Sequence, residues 1–331
     1  MRVLVAGASG YIGSRLVPEL LRRGHDVVAT HTRDPHPEYP WAGDVTWQRT
    51  DVLDMRELLS ALEGAEAVVY LVHGLKGMDF ATTDREAAEN MRDAVDHLGV
   101  RRLVYLSGII PRVHPDDLSE HLSSRLEVEQ ILATSTASTL SLRAAIVVGS
   151  GSTSFEVVRQ LSQRLPLVTA IPGWMRSTRV QPVAVADAVY YLAEAVGDAQ
   201  VRGHLDVGGP EALSYPQLLS RYARLAGLRR LQVPVPPLPF DLVGWVAGRL
   251  TDVDTDTVQS LMASLRDDMV VRTGASPRLG DPRHVLVPLD EAIRRALVPY
   301  APSTDGARPG ADPAAPSVGD PEWTRGASSR G

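Results

Sequence analysis

Three glycines near the start of the chain, Gly7, Gly10 and Gly13, have the spacing of a loop that holds a phosphate group. The first glycine permits a tight turn, the second lets backbone approach a pyrophosphate, and the third allows a helix to pack closely on a strand. Unpaired N–H groups at the helix start would attract the anion. This stretch predicts a dinucleotide site. The other residues assigned to the loop are Ser9, Tyr11 and Ile12.

The context of the glycines matters more than the glycines themselves, because glycine also occurs in ordinary turns. Residues 3–6 form a short apolar run typical of a buried parallel strand. Ile12, Leu16 and Leu20 then recur at helical spacing until Gly24. A strand that passes through glycines directly into a helix favours cofactor binding.

The end of the second predicted strand, at residues 26–30, bears on the choice of cofactor. An NAD site usually carries an acid about 20 residues after the glycines, where it binds the ribose 2′-hydroxyl. His31 occupies that position, and Arg33 follows two residues later. A guanidinium suits a 2′-phosphate, so the pattern favours NADP(H) over NAD(H). The alternatives are that Arg33 is a solvated loop residue, or that Asp34 is the missing acid.

Further apolar runs alternate with helical patterns along the first 150 residues. This order predicts an α/β fold, a Rossmann-type doubly wound parallel sheet with right-handed crossovers. Ligands then bind beyond the carboxyl ends of the strands. The residues expected at those ends are Asp51, Val52, Leu71, His73 and Ser107. A following helix over residues 116–133 carries His121 and Arg125, which are four residues apart and share one face.

Composition limits the possible functions. The chain has 331 residues and a net charge of -6, without the basic stripe of a nucleic-acid-binding protein. It contains no cysteine, and its nine histidines are dispersed, so we expect no disulfide and no metal site. No apolar run is long enough to span a membrane, and a cytoplasmic protein acting on a small molecule is expected.

We expect three regions, a cofactor-binding domain over 1–150, a substrate lobe with returning elements over 151–301, and a disordered tail over 302–331. The tail is rich in proline and glycine and carries Val318 as its single branched aliphatic residue. Prolines predict an extended linker at 231–239. The apolar stretch at 240–250 predicts a packed helix, with contact to a protein partner or a membrane surface as the alternative.

Several segments resemble the extended, atypical short-chain dehydrogenase/reductases, in particular the bacterial NAD(P)H-binding group described as NmrA-like or nucleoside-diphosphate-sugar-epimerase-like. The resemblance covers residues 1 to about 298. It is carried by the glycine loop and by the segments Tyr70-Leu-Val-His-Gly74, Val104-Tyr-Leu-Ser-Gly108, His121-Leu-Ser-Ser-Arg125, Gln181-Pro182 and Val207-Gly-Gly-Pro210. It implies oxidoreductase or epimerase/dehydratase chemistry on a small organic substrate.

The family uses a serine and a Tyr-x-x-x-Lys pair, and this chain departs from that pair. Ser107 matches the serine, whereas His121 and Arg125 stand at the tyrosine and lysine positions. Imidazole could carry the proton and Arg125 could orient the ribose. Alternatively, the chain is a cofactor-binding sensor or accessory protein without catalysis, because arginine does not replace lysine in a proton relay. Candidate substrate contacts are Arg143, Arg179 and Gln181.

Overall fold

The structure is a computed structural model that describes residues 1–32, 36, 38–74, 79–236, 238–272, 279–321 and 324. The strands are β1 (Arg2–Ala6), β2 (Asp26–His31), β3 (Thr46–Arg49), β4 (Ala67–Tyr70), β5 (Arg102–Gly108), β6 (Ser138–Ala144), β7 (Val147–Val148), β8 (Val168–Pro172), β9 (Arg179–Val180), β10 (Val183–Ala184), β11 (Gly203–Val207), β12 (Leu213–Ser214) and β13 (Leu231–Val235).

The helices are α1 (Tyr11–Arg22), α2 (Met55–Leu62), α3 (Phe80–Leu98), α4 (Glu120–Ala133), α5 (Thr153–Arg164), α6 (Trp174–Ser177), α7 (Val185–Gly197), α8 (Tyr215–Leu225), α9 (Phe240–Arg249), α10 (Thr255–Ala263) and α11 (Leu289–Ala296). Among the described residues, no helix is both long enough and apolar enough to cross a membrane.

Seven strands form one parallel sheet in the order β11-β6-β5-β4-β1-β2-β3. The sheet is covered on both faces, as parallel sheets require. Each face of the sheet has its own apolar core, and successive residues of β1 point alternately into the two. Val3 and Val5 pack towards α1 and α7, and Leu4 packs towards α2, α3 and α4. This confirms the predicted doubly wound fold. Strand β11 returns to the main sheet from beyond residue 150.

The elements after β6, apart from α7 and β11, form a lobe beside the carboxyl edge of the sheet. Helices α5, α8 and α11 enclose one apolar core, and α9 packs on α10 over a smaller one. The predicted linker at 231–239 is partly wrong, because Leu231–Val235 forms β13, which pairs in parallel with β8. Proline is tolerated there because the pair has only two strands, and each strand therefore has a free edge.

The expectation of a disordered tail from residue 302 is corrected for the described residues of that segment. Ala307 and Ala314 are buried in the core beside α1, and the Asp320 carboxylate lies 2.8 Å from the Arg15 guanidinium. Arg15 also donates hydrogen bonds to the carbonyl oxygens of Pro313 and Ala315. Composition did not predict this docking, because a buried arginine on α1 holds the segment through polar contacts rather than apolar area.

Candidate cofactor and substrate site

The glycine loop connects β1 to α1 with the geometry that the sequence predicted. Gly7 has φ of 87°, a left-handed conformation that favours glycine. A Cβ atom on Gly13 would lie 2.3 Å from the Gly7 carbonyl oxygen, so no side chain fits there. Helix α1 begins after Gly10 without a side-chain cap and without an acid in its first turn. Its N–H groups are therefore suited to a pyrophosphate.

A cavity of about 910 Å³ opens from this loop and runs along the carboxyl edge of the sheet into the second lobe. The predicted site residues that line it are Gly7, Ser9, Gly10, Tyr11, Ile12, Gly13, Val52, Leu71, His73, Ser107, His121 and Arg125. The cavity thus brings together most of the residues that the strand-end argument placed at one edge. Thr30, His31 and Thr32 line the same region, where a ribose would lie.

Ser107 and the helix α4 residues form the part of the site that can do chemistry. Ser107 is 3% exposed, and its hydroxyl lies beside the Tyr105 phenol without a well-formed hydrogen bond to any described residue. The Arg125 guanidinium donates a 3.0 Å hydrogen bond to the Leu106 carbonyl oxygen. That bond fixes α4 against the end of β5, and it directs His121 and Arg125 to the same cavity as Ser107.

Two of the histidines that line the cavity, His73 and His121, have pKa values lowered enough to leave them uncharged at neutral pH. Burial, followed by the nearby Arg125 charge, lowers the pKa of His121 to about 3. The same two causes, together with His121, hold the pKa of His73 well below its usual range. The exposed side chain of His73 lines the cavity, and the loss of water around its imidazole at the cavity wall, together with the Arg125 charge, disfavours the imidazolium. A neutral imidazole can donate or accept a hydrogen bond but holds no readily available proton.

Asp84 on α3 holds helix α4 and the loop after β4 in place beside the cavity, and the sequence analysis did not identify it. Its carboxylate accepts hydrogen bonds from the Gly74 N–H at 2.6 Å and from the Ser124 hydroxyl at 3.2 Å. It therefore joins the loop after β4 to α4. Burial raises the pKa of Asp84. The helical pattern gave no signal for it, because a carboxylate on a helix is usually solvated.

Asp51 and the three candidate substrate contacts do not line the cavity. The exposed Asp51 carboxylate accepts a hydrogen bond from the Leu53 N–H. Arg143 is buried against Glu129, with guanidinium to carboxylate distances of 2.9 and 2.6 Å. Arg179 donates to the Ala212 carbonyl oxygen. None of the four residues lines the cavity, and Asp51, Arg143 and Arg179 have local hydrogen-bond partners, so their assignment as ligand contacts stays a prediction.

Gln181 is the third candidate substrate contact. Its side-chain amide connects two backbone segments. Its nitrogen donates to the Gly209 carbonyl oxygen and its oxygen accepts from the Val271 N–H. Arg33 and Asp34, on which the cofactor preference rests, lie outside the described residues. No group of His, Asp and Glu side chains in the described part of the chain could hold a metal ion.

A glycine loop after the first strand of a parallel sheet, with a cavity along the carboxyl edge, defines a dinucleotide-binding Rossmann protein. The chain matches the NAD(P)H-binding family over residues 7–164. It is 31% identical over 277 residues to a 3-diazoavenalumate denitrifying reductase of a Streptomyces species, with 74% of this chain and 88% of the relative covered.

An uncharacterized protein of Mycobacterium tuberculosis is 28% identical over 236 residues, which are 71% of this chain and 24% of the relative, so the chain spans about a quarter of its length. The crystal structure of Thermus thermophilus UDP-glucose 4-epimerase with NAD shares the fold, with a TM-score of 0.58 and 22% identity over 80% of this chain and 99% of the epimerase. The chain belongs to the NAD(P)H-binding, extended short-chain dehydrogenase/reductase family with the epimerase-type fold.

Proposed function

We propose that this chain is an NADP(H)-dependent reductase of carbonyl compounds. The observation that carries the proposal is the placement of Ser107, His121 and Arg125 in one cavity with the glycine loop. The Ser107 hydroxyl is buried and available to donate a hydrogen bond to a substrate oxygen. A preorganised donor of this kind stabilises the negative charge that develops on a carbonyl oxygen during reduction.

The bound nicotinamide would supply the hydride, and the chain's own residues would act on the oxygen. Ser107 donates to the oxygen, and the neutral imidazole of His121 donates a second hydrogen bond. Because the pKa of His121 is about 3, the proton that completes the alcohol comes from water rather than from an imidazolium. Arg125, held by the Leu106 carbonyl oxygen, orients the ribose. This assignment makes His121 a hydrogen-bond donor and not the proton carrier that its position first suggests.

Variants at His121 test this role. We expect His121→Gln, which keeps an N–H donor, to retain most of kcat, and His121→Leu to lose about 10- to 100-fold. We also expect kcat/KM to show no break near pH 6.5, the ordinary pKa of histidine. A break there that disappears in His121→Gln would overturn the donor role and restore the proton-carrier interpretation.

A specific observation favours a second candidate, a sensor or accessory protein that binds the cofactor without turning it over. His121 has a pKa of about 3 and Arg125 is tied to the backbone, so these two residues do not supply an acid of the tyrosine and lysine kind. Fluorescence titration measures NADPH binding, and loss of NADPH absorbance against a panel of ketones, aldehydes and UDP-sugars measures turnover. Tight binding with no turnover across the panel would support the sensor and reject the reductase.

The preference for NADP(H) is also a proposal, and it rests on Arg33. A charge-assisted hydrogen bond contributes about 1.5 to 3 kcal/mol, so Arg33→Ala would weaken NADPH binding about 10- to 100-fold. Binding of NADH would change little, because NADH lacks the 2′-phosphate. Equal dissociation constants of the parent for NADPH and NADH, unchanged in the variant, would reject the preference.

A further inference from the structure

The cavity continues beyond Ser107 into a region lined by apolar side chains of the second lobe. We call this region the apolar chamber and define it by Val157, Leu161, Ile171, Met175, Leu242, Val246, Leu261, Met262 and Leu265. These residues belong to α5, β8, α6, α9 and α10 and to the turn over Ser264–Arg266. Ser107 lines the same cavity as the chamber.

The described residues that line the whole cavity include a single charged side chain, Arg125. The other ionisable groups among them are His31, His73 and His121 together with the partly buried Tyr11 and Tyr215. No lysine, further arginine or acid of the described residues faces the chamber. Removing an ionic group from water without a partner is costly, so a diphosphate has no counterpart there. The charge pattern disfavours a nucleotide sugar as the substrate.

The outer end of the chamber is also apolar. Four large aliphatic residues that line the cavity are exposed at the surface, namely Val168, Leu238, Leu242 and Val246, with exposed fractions of 51, 38, 49 and 40%. We call these four residues the rim. Exposed aliphatic side chains around an opening are typical of an apolar ligand site. Apart from Arg125, the described residues that line the cavity shared by the rim and Ser107 include no lysine, arginine or acid, so the cavity offers a long substrate a mostly uncharged lining.

We propose that the substrate is a carbonyl compound with a long uncharged alkyl substituent, whose oxygen meets Ser107 and whose tail lies along the apolar chamber to the rim. The inference rests on the proposed reductase activity. In the reaction, hydride from NADPH forms the new C–H bond as the carbonyl π bond breaks, and a proton from water completes the O–H bond. NADPH is oxidised to NADP⁺ and the ketone is reduced to a secondary alcohol.

Calorimetric titration of the NADPH-loaded protein with 2-hexanone, 2-octanone, 2-decanone and 2-dodecanone tests the ligand class without requiring turnover. Burial of a methylene group predicts up to about fourfold tighter binding for each carbon added. UDP-glucose, titrated in the same way, is expected not to bind measurably. Affinity that is constant along the series, or UDP-glucose binding tighter than 2-dodecanone, would overturn the inference.

Val246→Asp places a carboxylate on the rim and has a matched control. We expect it to weaken 2-dodecanone binding at least about tenfold, because the tail would have to pass a hydrated charge. Val285→Asp makes the same change at a residue that is 82% exposed and does not line the cavity, and it should bind 2-dodecanone like the parent. Equal effects of the two variants would contradict the proposed path.

The titrations separate this inference from the proposed function. Length-dependent binding of ketones without oxidation of NADPH would support the apolar ligand class and reject the reductase. Oxidation of NADPH with short aldehydes or UDP-sugars, together with no dependence on chain length, would support an enzyme and reject the apolar substrate. Circular dichroism and NADPH affinity of each variant show whether it has folded.

Discussion

Glu156 on α5 gives the sharpest prediction about stability. Its side chain is fully buried, where one oxygen accepts a 3.0 Å hydrogen bond from the Gly151 N–H and the other lies 2.7 Å from the Arg159 guanidinium. Asp320 of the docked C-terminal segment lies close enough to add a repulsive charge. Burial outweighs the attraction of Arg159 and raises the pKa of Glu156 from 4.5 to about 7.

The raised pKa fixes the sign of the pH dependence. Between pH 4.5 and 7 the folded chain holds a proton on Glu156 that the unfolded chain releases, so this group stabilises the fold most below pH 4.5. Its contribution is lost as the pH rises to 7. A difference of 2.5 pKa units corresponds to about 3 kcal/mol in the free energy of unfolding.

Glu156→Gln isolates this contribution, because glutamine is neutral and nearly the same size. We expect the variant and the parent to have similar free energies of unfolding at pH 4.5 in urea titrations followed by circular dichroism. At pH 8 the variant should be the more stable by about 3 kcal/mol, the full linkage contribution. Glu86→Gln, an exposed change on α3, is the control. Parallel curves for Glu156→Gln and the parent from pH 4.5 to 8 would refute the reasoning.

Three further variants test the assignments of single residues. Asp320→Ala leaves the Arg15 guanidinium buried without its carboxylate and should cost about 3 to 5 kcal/mol, measured by urea unfolding against Asp117→Ala. If Asp320→Ala unfolds like the control, the tail does not dock as described. Gly13→Ala forces a Cβ against the Gly7 carbonyl oxygen and should weaken NADPH binding up to about 100-fold in fluorescence titrations, whereas Gly43→Ala, which meets no atom within 4 Å, should not. Arg143→Ala should destabilise by about 3 to 5 kcal/mol, since it strands Glu129, and should leave the NADPH dissociation constant of the folded protein unchanged. A large loss of NADPH affinity in folded Arg143→Ala would contradict this structural role and support the predicted ligand contact.

The sequence determined the fold class and the cofactor end of the site because both depend on local order along the chain. Apolar runs that alternate with helical patterns leave few topologies, and the carboxyl ends of parallel strands then meet at one edge. Ser107 and His73 could be assigned to that edge from their positions alone. His121 and Arg125 could be placed on one helix face from their spacing.

The sequence did not determine which polar side chains are free to meet a ligand. Arg143 is tied to Glu129, and Gln181 is bound to Gly209, which is 28 residues away. A pattern along the chain cannot show such partners, since they come from other elements. The low pKa of His121 is likewise a property of its enclosure rather than of its residue type.

The glycine loop is the clearest example of a feature determined by the sequence, and the apolar chamber is the clearest example of one determined by the tertiary structure. The loop consists of consecutive residues, so its turn, its helix start and its preference for an anion follow from the sequence alone. The chamber is assembled from α5, β8, α6, α9, α10 and the turn over Ser264–Arg266, and the docked segment is held by Arg15, which is 305 residues from Asp320. Only the tertiary structure decides these features, because each requires surfaces that are distant in the chain to pack together and exclude water.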